Sequence, residues 1–359
     1  MGGAGEMERL IGEYAMIPAG CTLLCAVSGG ADSVYLLHRL SELRQRLDFR
    51  LIAAHYNHGL RGEEARRDEE FTREFAAKHC TPPVELIVGR GDVAAEAARR
   101  KTGPEDAARA MRYAFLYETA RRVGAQRIAT AHTADDNCET LLLHLLRGSG
   151  LQGLTGIRPV QGQLIRPMLT TTRAEVEDYL TLHGLPHVED STNETDDYLR
   201  NRLRHQVMPK LEELSPGFTR RSRDTMDYLR ADQALLETQA EALWRDAVFS
   251  EGRLSLPAKT IADAPEPLAV RAVRQMLCRL RDGDDRVTAA HLLAVTALCR
   301  GDDPSARADL PGGLAAWREY GLLCMGEWEG SGPIEPQPVR PPCTLTAGEW
   351  TVECAVGEW

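Results

Sequence analysis

The chain has 359 residues, a formal net charge of −10, and 43% hydrophobic and 27% charged residues. This ordinary globular profile excludes a largely disordered chain and allows two or three domains. No apolar run approaches the ~20 residues that a membrane helix needs, and no signal peptide is evident, so we expect a cytoplasmic protein with no membrane partner. Nine dispersed cysteines form no CxxC pair, which indicates reduced structural thiols and argues against a zinc or iron–sulfur site.

The first half of the sequence alternates short apolar runs with stretches of helical length. The apolar runs cover residues 22–27, 51–56, 84–88 and 127–132, and the helical stretches cover 34–47, 63–79 and 105–123. Strands buried on both faces that alternate with helices predict an α/β domain with a parallel sheet. Because ligands of such sheets bind beyond the carboxyl ends of the strands, the polar residues that follow each strand are the candidates for function.

The second half has a different texture. Helices are predicted over 200–214 and 219–248, separated by a Ser-Pro-Gly breaker, and a smaller, mostly helical region follows to about residue 325. Residues 330–342 are rich in proline and glycine and indicate a linker, and residues 343–359 alternate like strands. We therefore expect domains over 1–214 and 215–329, with 330–359 forming a linker and a partial or truncated C-terminal domain.

A glycine-rich segment joins the first strand to the first helix. Its residues are Ser28, Gly29, Gly30, Ala31, Asp32 and Ser33. Paired glycines bring the backbone close to a ligand, and the free amides at a helix start favour an anion. A carboxylate beside phosphates requires a cation, so Asp32 predicts a shared Mg²⁺ ion. The segment is neither a Walker A loop nor a GxGxxG turn. The alternative is a simple strand–helix turn with a capping serine.

This segment resembles the SGGxDS pyrophosphate loop of the N-type ATP pyrophosphatases, or PP-loop enzymes. The resemblance implies that residues 28–33 bind ATP, that ATP is cleaved to AMP and pyrophosphate, and that a carbonyl or carboxyl oxygen is adenylated. The loop alone does not choose among the members of that superfamily.

Further motifs occur in a fixed order and resemble the tRNA(Ile)-lysidine synthetase family over residues 20–325. They are His-Tyr-Asn-His-Gly-Leu-Arg-Gly at 55–62, His-Thr-Ala-Asp-Asp-Asn-Cys-Glu-Thr at 132–140, Leu-Arg-Gly-Ser-Gly-Leu-Gln-Gly-Leu at 146–154, Ile-Arg-Pro at 165–167, Asp-Ser-Thr-Asn at 190–193 and Tyr-Leu-Arg-Asn-Arg-Leu-Arg at 198–204. The resemblance implies an ATP-dependent ligase that joins L-lysine to C2 of the wobble cytidine in the CAU anticodon of a minor isoleucine tRNA. Codon reading would then switch from AUG to AUA.

The same resemblance assigns roles to polar residues after the strands. Asp32, His132, Asp136 and Arg147 are the expected catalytic residues, and His132, Asp136 and Glu139, which follow a strand end, are the candidates for the acceptor of the lysine proton. Each also has a plainer interpretation. His132 is otherwise a strand-end histidine with its hydrogen bonds satisfied, and Arg147 otherwise complements a helix C-terminus. Asp135 is as well explained as a helix cap.

Two concentrations of arginine predict contacts with the tRNA backbone, although a run of charge is more often a solvated face. The residues expected to bind tRNA are Arg109 and Arg112 from the first concentration and, as the family resemblance implies, Arg200, Asn201 and Arg204 from the second. The family resemblance makes 1–214 the PP-loop catalytic domain and makes 215–329 a long connector helix followed by a tRNA-binding domain. Two alternatives stay open, a PP-loop tRNA thiolase and a non-catalytic binding protein. The sequence leaves the oligomeric state open, a homodimer being common for enzymes of this size.

Overall fold

The computed structural model describes residues 2–59, 63–189, 199–250, 252–281, 287–328, 341, 343–347 and 350–355. The predicted motif at 190–193, Tyr198, residues 60–62 and most of the predicted linker lie outside this described part. The chain separates into two compact units, Met1–Gln233 and Ala234–Trp359. The domain limits predicted from the sequence stay predictions.

The first unit is built on a six-stranded sheet in the order β3-β2-β1-β4-β6-β5, parallel except for the last pair. Its strands are β1 Cys21–Ala26, β2 Phe49–Asn57, β3 Glu85–Arg90, β4 Arg127–Ala129, β5 Val160–Gln161 and β6 Leu164–Ile165. Its helices begin with α1 Gly2–Glu13, α2 Ala31–Leu43, α3 Glu63–Lys78, α4 Val93–Arg100, α5 Pro104–Val123, α6 Ala134–Leu146, α7 Leu151–Leu154 and α8 Arg173–His183. The predicted parallel α/β sheet is confirmed.

Helices cover both faces of this sheet. Leu23 of β1 lies in a buried cluster with Leu36 of α2, while the next residue, Leu24, lies in a second cluster with Leu116 of α5. Successive side chains of a strand point to opposite faces, so a continuous apolar run such as 22–27 fits a strand buried on both sides. The carboxyl ends of β1, β2 and β4 therefore form one edge of the sheet, where the polar residues that follow them collect.

The chain then turns into short helical segments. They are α9 Leu199–Arg202, a π-helical turn Leu203–Val207, α10 Met208–Leu214 and the long helix α11 Phe218–Trp244. The predicted helix over 200–214 thus contains a π-helical turn, a feature frequent at functional sites. Pro209 falls in the first turn of α10, where its missing N–H costs nothing.

The second unit contains a five-stranded antiparallel sheet in the order β7-β8-β11-β10-β9. Its elements are β7 Val248–Ser250, β8 Arg253–Pro257, α12 Ala258–Ala262, α13 Glu266–Leu280, α14 Ala289–Arg300, β9 Arg307–Asp309, β10 Leu314–Glu319 and β11 Leu322–Glu327. A separate hairpin pairs β12 Cys343–Ala347 with β13 Trp350–Cys354. The mostly helical prediction missed this sheet, because its strands are only three to six residues long.

None of the described helices is both long enough and apolar enough to cross a bilayer.

Candidate active site

The loop after β1 is held in shape by the hydroxyl of Ser33. Its Oγ accepts the backbone N–H groups of Ser28 and Gly29, each at 3.1 Å, and donates to the carbonyl of Gly30 at 2.9 Å. Gly29 has φ +100°, a conformation that L side chains rarely adopt, which explains why glycine stands there. The loop is therefore a preformed, internally bonded turn, and Ser33 shapes it.

The loop leads directly into the N-terminus of α2. Gly30 is the N-cap; its carbonyl accepts the N–H groups of Ser33 and Val34 at 3.0 Å, and no side chain caps the start of the helix, so the amides of Ala31 and Asp32 are placed for a ligand. Together with the helix dipole these amides favour an anion such as phosphate. The predicted phosphate cradle thus has the backbone geometry that it requires.

Asp32 lies in the first turn of α2 and is half-buried. It is close enough to a second group of charged residues for their charges to act on it. Burial raises the pKa of Asp32 to about 6. Arg173 and Arg204 oppose this rise, while Asp136 and Asp135 reinforce it. Those charges belong to the residues that follow β4, so the structure brings the loop and the second group together at one edge of the sheet.

A capping box fixes the start of α6, the helix that follows β4. Thr133 is the N-cap, its Oγ1 accepting the N–H of Asp136 at 3.2 Å, and Asp136 Oδ2 accepts the N–H of Thr133 at 3.0 Å. The cap that the sequence suggested at Asp135 is therefore at Thr133. Asp135 instead accepts the backbone N–H of Arg173, at the start of α8, at 2.8 Å.

Two buried carboxylates on α6 bind three guanidinium groups, and we call these five residues the arginine–carboxylate cluster. Asp136 Oδ1 lies 3.2 Å from Arg173, 3.3 Å from Arg200 and 3.2 Å from Arg204. Glu139 accepts from Arg200 Nε at 2.9 Å and from Arg204 Nε at 2.8 Å, and Arg173 lies 3.5 Å away. The Glu139 side chain is only 1% exposed.

The charges of this cluster set its protonation. Burial pushes the pKa of Asp136 upward, but Arg173, Arg200 and the amide of Thr133 outweigh burial, and the pKa lies below its ordinary value. Five hydrogen bonds occupy the two oxygens of Asp136. Within the cluster three guanidiniums face two carboxylates, while Asp32 and Asp135 lie close enough to act on the same charges.

His132 follows the carboxyl end of β4, close enough to Asp136 and Arg200 of the cluster for their charges to act on it. Burial lowers the pKa of His132 to about 4, with Asp136 opposing the shift and Arg166 and Arg200 adding to it. The ring is therefore uncharged at neutral pH, and its Nδ1 lies 3.1 Å from the hydroxyl of Thr130. His132 also has the satisfied hydrogen bond that its plainer interpretation requires.

His132 makes a testable contribution to the pH dependence of stability. Its folded pKa lies below the ordinary value of ~6.5, so the unfolded chain takes up the proton first as the pH falls. We expect the stability advantage of the wild type over His132→Asn to decrease from about pH 6.5 to about pH 4, measured by urea unfolding. The exposed residue His187 supplies the control variant His187→Asn, and an equal decrease in both comparisons would contradict the assignment.

A cavity of about 400 Å³ opens beside the cluster, within the first unit. Its lining includes Asp135, Thr172, Arg204, Glu212, Thr219 and Arg220. The carboxylate of Glu212 accepts the backbone N–H groups of Gly217, Phe218 and Thr219 at 2.8–3.2 Å and so fixes the start of α11. The cavity thus has rigid walls that carry both signs of charge.

The other residues predicted from the sequence, the tRNA-binding set and Arg147, lie partly in the arginine–carboxylate cluster and partly away from it. Arg200 and Arg204 point into the cluster, and Asn201 follows Arg200 on α9. Arg109 is exposed on α5 and lies over the ring of Tyr113 at 5.0 Å, while Arg112 is half-buried nearby. Arg147 is exposed at the C-cap of α6. No contact joins Arg147 to the loop among the described residues.

Two residues of the arginine–carboxylate cluster, Arg173 and Glu139, were not among the site residues predicted from the sequence. Arg173 contacts both acids of α6 although it lies 34–37 residues from them, and its only sequence signal is its place at a helix start. Glu139 was a candidate for the proton acceptor beside His132 and Asp136 but was not among the residues expected to form the site. Its spacing of three residues from Asp136 places both carboxylates on one helix face, and this was the available signal.

The glycine loop at a strand–helix junction, on a parallel sheet with a charged cluster at the carboxyl edge, defines a PP-loop nucleotide-binding domain. A family model described as "PP-loop domain" matches residues 6–211. Curated relatives then narrow the assignment: the chain belongs to the tRNA(Ile)-lysidine synthase family, as its sequence motifs predicted.

Three of these relatives carry the name tRNA(Ile)-lysidine synthase. The protein from Geobacter sulfurreducens is 38% identical over 86% of this chain and 65% of its own length. Those from Dehalococcoides mccartyi and Geobacillus kaustophilus are 35% and 34% identical, over 89% and 88% of this chain and 69% and 68% of theirs. The chain therefore spans about two thirds of the length of these relatives.

Among solved structures, the U34-tRNA thiolase NcsA from Methanococcus maripaludis with its [4Fe-4S] cluster is similar with a TM-score of 0.53. It is 16% identical, and the match covers 63% of this chain and 77% of that one. At this identity the likeness concerns the fold alone.

Proposed function

We propose that the protein is an ATP-dependent ligase that attaches L-lysine to C2 of the wobble cytidine in a CAU anticodon of a minor isoleucine tRNA. The observation that carries this proposal is the pairing of the phosphate cradle with the arginine–carboxylate cluster at one edge of the sheet, in a chain of the tRNA(Ile)-lysidine synthase family. A homodimer and a cytoplasmic location stay predictions from the sequence.

In the first step, the C2 oxygen of the cytidine attacks the α-phosphorus of ATP, and the bond to pyrophosphate breaks. Negative charge grows on the leaving pyrophosphate, where the amides of Ala31 and Asp32 at the start of α2 stabilise it. The guanidiniums of Arg173 and Arg204, whose charges already act on Asp32 of the loop, favour the same negative charge. These groups are fixed before the reaction by Ser33 and by the buried carboxylates, so little reorganisation is needed.

The residues of this site fit a Mg²⁺ ion only when the phosphates of a nucleotide supply further ligands. The described residues contain no group of three or more His, Cys, Asp or Glu side chains that could hold a metal ion. Asp32 alone would hold the ion, with phosphate oxygens and water as the other ligands, which is the usual arrangement for Mg²⁺ with nucleotides. The ion would supply neutralisation of phosphate charge.

In the second step, the lysine ε-amine forms a bond to C2, the C2–O bond breaks, and AMP leaves with that oxygen. The ammonium group must first lose a proton, since its ordinary pKa is ~10.4. We assign this proton to His132, because its ring is uncharged while the oxygens of Asp136 are occupied, and because the phosphates of a bound nucleotide would raise its pKa from about 4 toward the range in which a general base is effective. The cavity beside the cluster has the size and mixed charge for a free amino acid, and we place lysine there.

The test incubates the protein with ATP, Mg²⁺, labelled lysine and a CAU-bearing isoleucine tRNA transcript. We expect label in the tRNA and equal release of AMP, with neither reaction in Asp32→Asn. Elongator methionine tRNA, which has the same anticodon, is the negative control. Release of AMP without transfer of lysine would contradict the proposal and keep only the pyrophosphatase chemistry.

A further inference from the structure

An apolar pocket of about 270 Å³ lies between α6 and the segment from α9 to the π-helical turn. Its lining residues are Leu142, Leu145, Leu146, Leu199, Arg202, Leu203, Gln206 and Val207. Leu145, Leu146 and Leu199 are 54%, 64% and 45% exposed. This cluster of exposed leucines is unusual for the surface of a soluble domain, where such patches commonly mark a binding site.

Both walls of the pocket lie close to the arginine–carboxylate cluster. On α6, Leu142 is one turn of helix, about 5 Å, beyond Glu139 of the arginine–carboxylate cluster. On the opposite wall, Arg200 and Arg204 belong to that cluster, while Leu199 and Leu203 line the pocket. Each pair is four residues apart, so the segment presents one face to the cluster and another to the pocket.

The rim of the pocket is positively charged. Arg202 lines it, and Arg147 follows Leu146 at the C-cap of α6. Both guanidiniums are exposed, and neither has a carboxylate partner within the part of the chain that the structure describes. By contrast, Arg200 and Arg204 are fully engaged with acids. An apolar floor with the guanidinium of Arg202 at its edge, and with Arg147 next in the chain to the lining residue Leu146, is complementary to a nucleotide, whose base is flat and weakly polar and whose phosphate is anionic.

We propose that this pocket binds the nucleobase directly 3′ to the wobble cytidine, the adenine of the CAU anticodon, while Arg147 and Arg202 contact the neighbouring phosphates. The inference rests on the proposed function and extends it to a second base. Bases in single-stranded loops are splayed out and held between apolar side chains when a protein reads or modifies them. A pocket one helical turn from the centre is within reach of an adjacent nucleotide.

The test uses the CAU-bearing isoleucine tRNA with 2-aminopurine in place of that adenine. Binding to the wild type should raise the fluorescence of 2-aminopurine, because the base leaves its stack and enters the pocket. Leu146→Gln should abolish the rise and increase KM for tRNA about tenfold with kcat nearly unchanged, since the side chain is already exposed and the fold does not depend on it. Leu182→Gln, at an 82% exposed position on α8, is the matched control.

The arginines provide an independent readout. Arg147→Gln and Arg202→Gln should each weaken tRNA binding and reduce the slope of log affinity against log salt concentration by about 0.7, the value for one contact with single-stranded phosphate. An unchanged slope in both variants would count against the phosphate contacts.

The outcomes separate this inference from the proposed function. A fluorescence rise that depends on Leu146, in an enzyme that transfers no lysine, would support the pocket and overturn the function. Lysine transfer with unaltered KM and fluorescence in Leu146→Gln would overturn the pocket. A change in sedimentation of Leu146→Gln with normal tRNA binding would also overturn it, because the occupant would then be a second copy of the chain.

Discussion

Replacement of Glu139 by glutamine should abolish lysine transfer and lower the free energy of unfolding by about 3 kcal/mol. The variant retains the shape of the side chain but removes a charge that is 1% exposed and bound by three guanidiniums. Arg173, Arg200 and Arg204 would then share the single carboxylate of Asp136. Uncompensated buried charge is costly, and the displaced guanidiniums would no longer be fixed toward the loop.

Urea unfolding and the lysine transfer assay measure the two effects of Glu139→Gln. Glu213→Gln, at an exposed position on α10, is the matched control and should resemble the wild type. Adding Arg204→Gln to the Glu139 variant should recover part of the stability, because it removes one unpaired charge, without recovering activity. Equal unfolding midpoints for Glu139→Gln and the wild type would show that the cluster does not contribute to stability.

Substitution of Gly29 by alanine should weaken ATP binding by about 10–100-fold. At φ +100° an L residue is strained by about 1–3 kcal/mol, and the loop relieves that strain by moving. Movement breaks the hydrogen bonds from the amides of Ser28 and Gly29 to Ser33 and from Val188 to the Gly29 carbonyl. The phosphate cradle would lose its shape while the sheet beneath it stays intact.

Isothermal titration with ATP and Mg²⁺ measures the affinity of Gly29→Ala. Gly20→Ala is the matched control, because Gly20 also has a positive φ, +71°, but stands before β1 with open space around its Cα. It should lose stability to a similar degree and bind ATP normally. If both variants bound ATP equally well, the shape of the loop would not govern binding.

The parts of this site that could be predicted from sequence are those encoded locally. Residues 28–33 and the strands before and after them are contiguous, and their apolar runs and glycines predict a strand, a turn and a helix without long-range information. The chemistry of the loop therefore followed from six neighbouring residues. Its internal fixation by Ser33 did not, because a serine in this position equally suits phosphate contact or helix capping.

The arginine–carboxylate cluster depends on contacts between distant parts of the chain. Arg200 and Arg204 are 61–68 residues from the acids that they bind, and the concentration of charge together with the family resemblance predicted tRNA contacts for them without indicating these acids. Only the fold places these arginines over α6. Arg200 and Arg204 are four residues apart and Asp136 and Glu139 are three apart, so each pair lies on one face of its helical segment. This pairing of one basic face with one acidic face is the signal that the sequence contained.

The sheet of the second unit was missed for a different reason. The strand β10 begins Leu-Ala-Ala, and alanine favours helices, so its local preference opposes its observed conformation. Pairing with β9 and β11 on both sides overrides that preference. Strands of three to six residues give too few alternations to be recognised in sequence.

The most direct test of the account follows the oxygen atom of the modified base. The isoleucine tRNA is prepared with ¹⁸O at C2 of the wobble cytidine, and the AMP released during lysine transfer is examined by mass spectrometry. Adenylation of that oxygen at the site between the loop and the arginine–carboxylate cluster predicts that the ¹⁸O leaves in the phosphate of AMP. Appearance of the ¹⁸O in water or pyrophosphate, with unlabelled AMP, would contradict it.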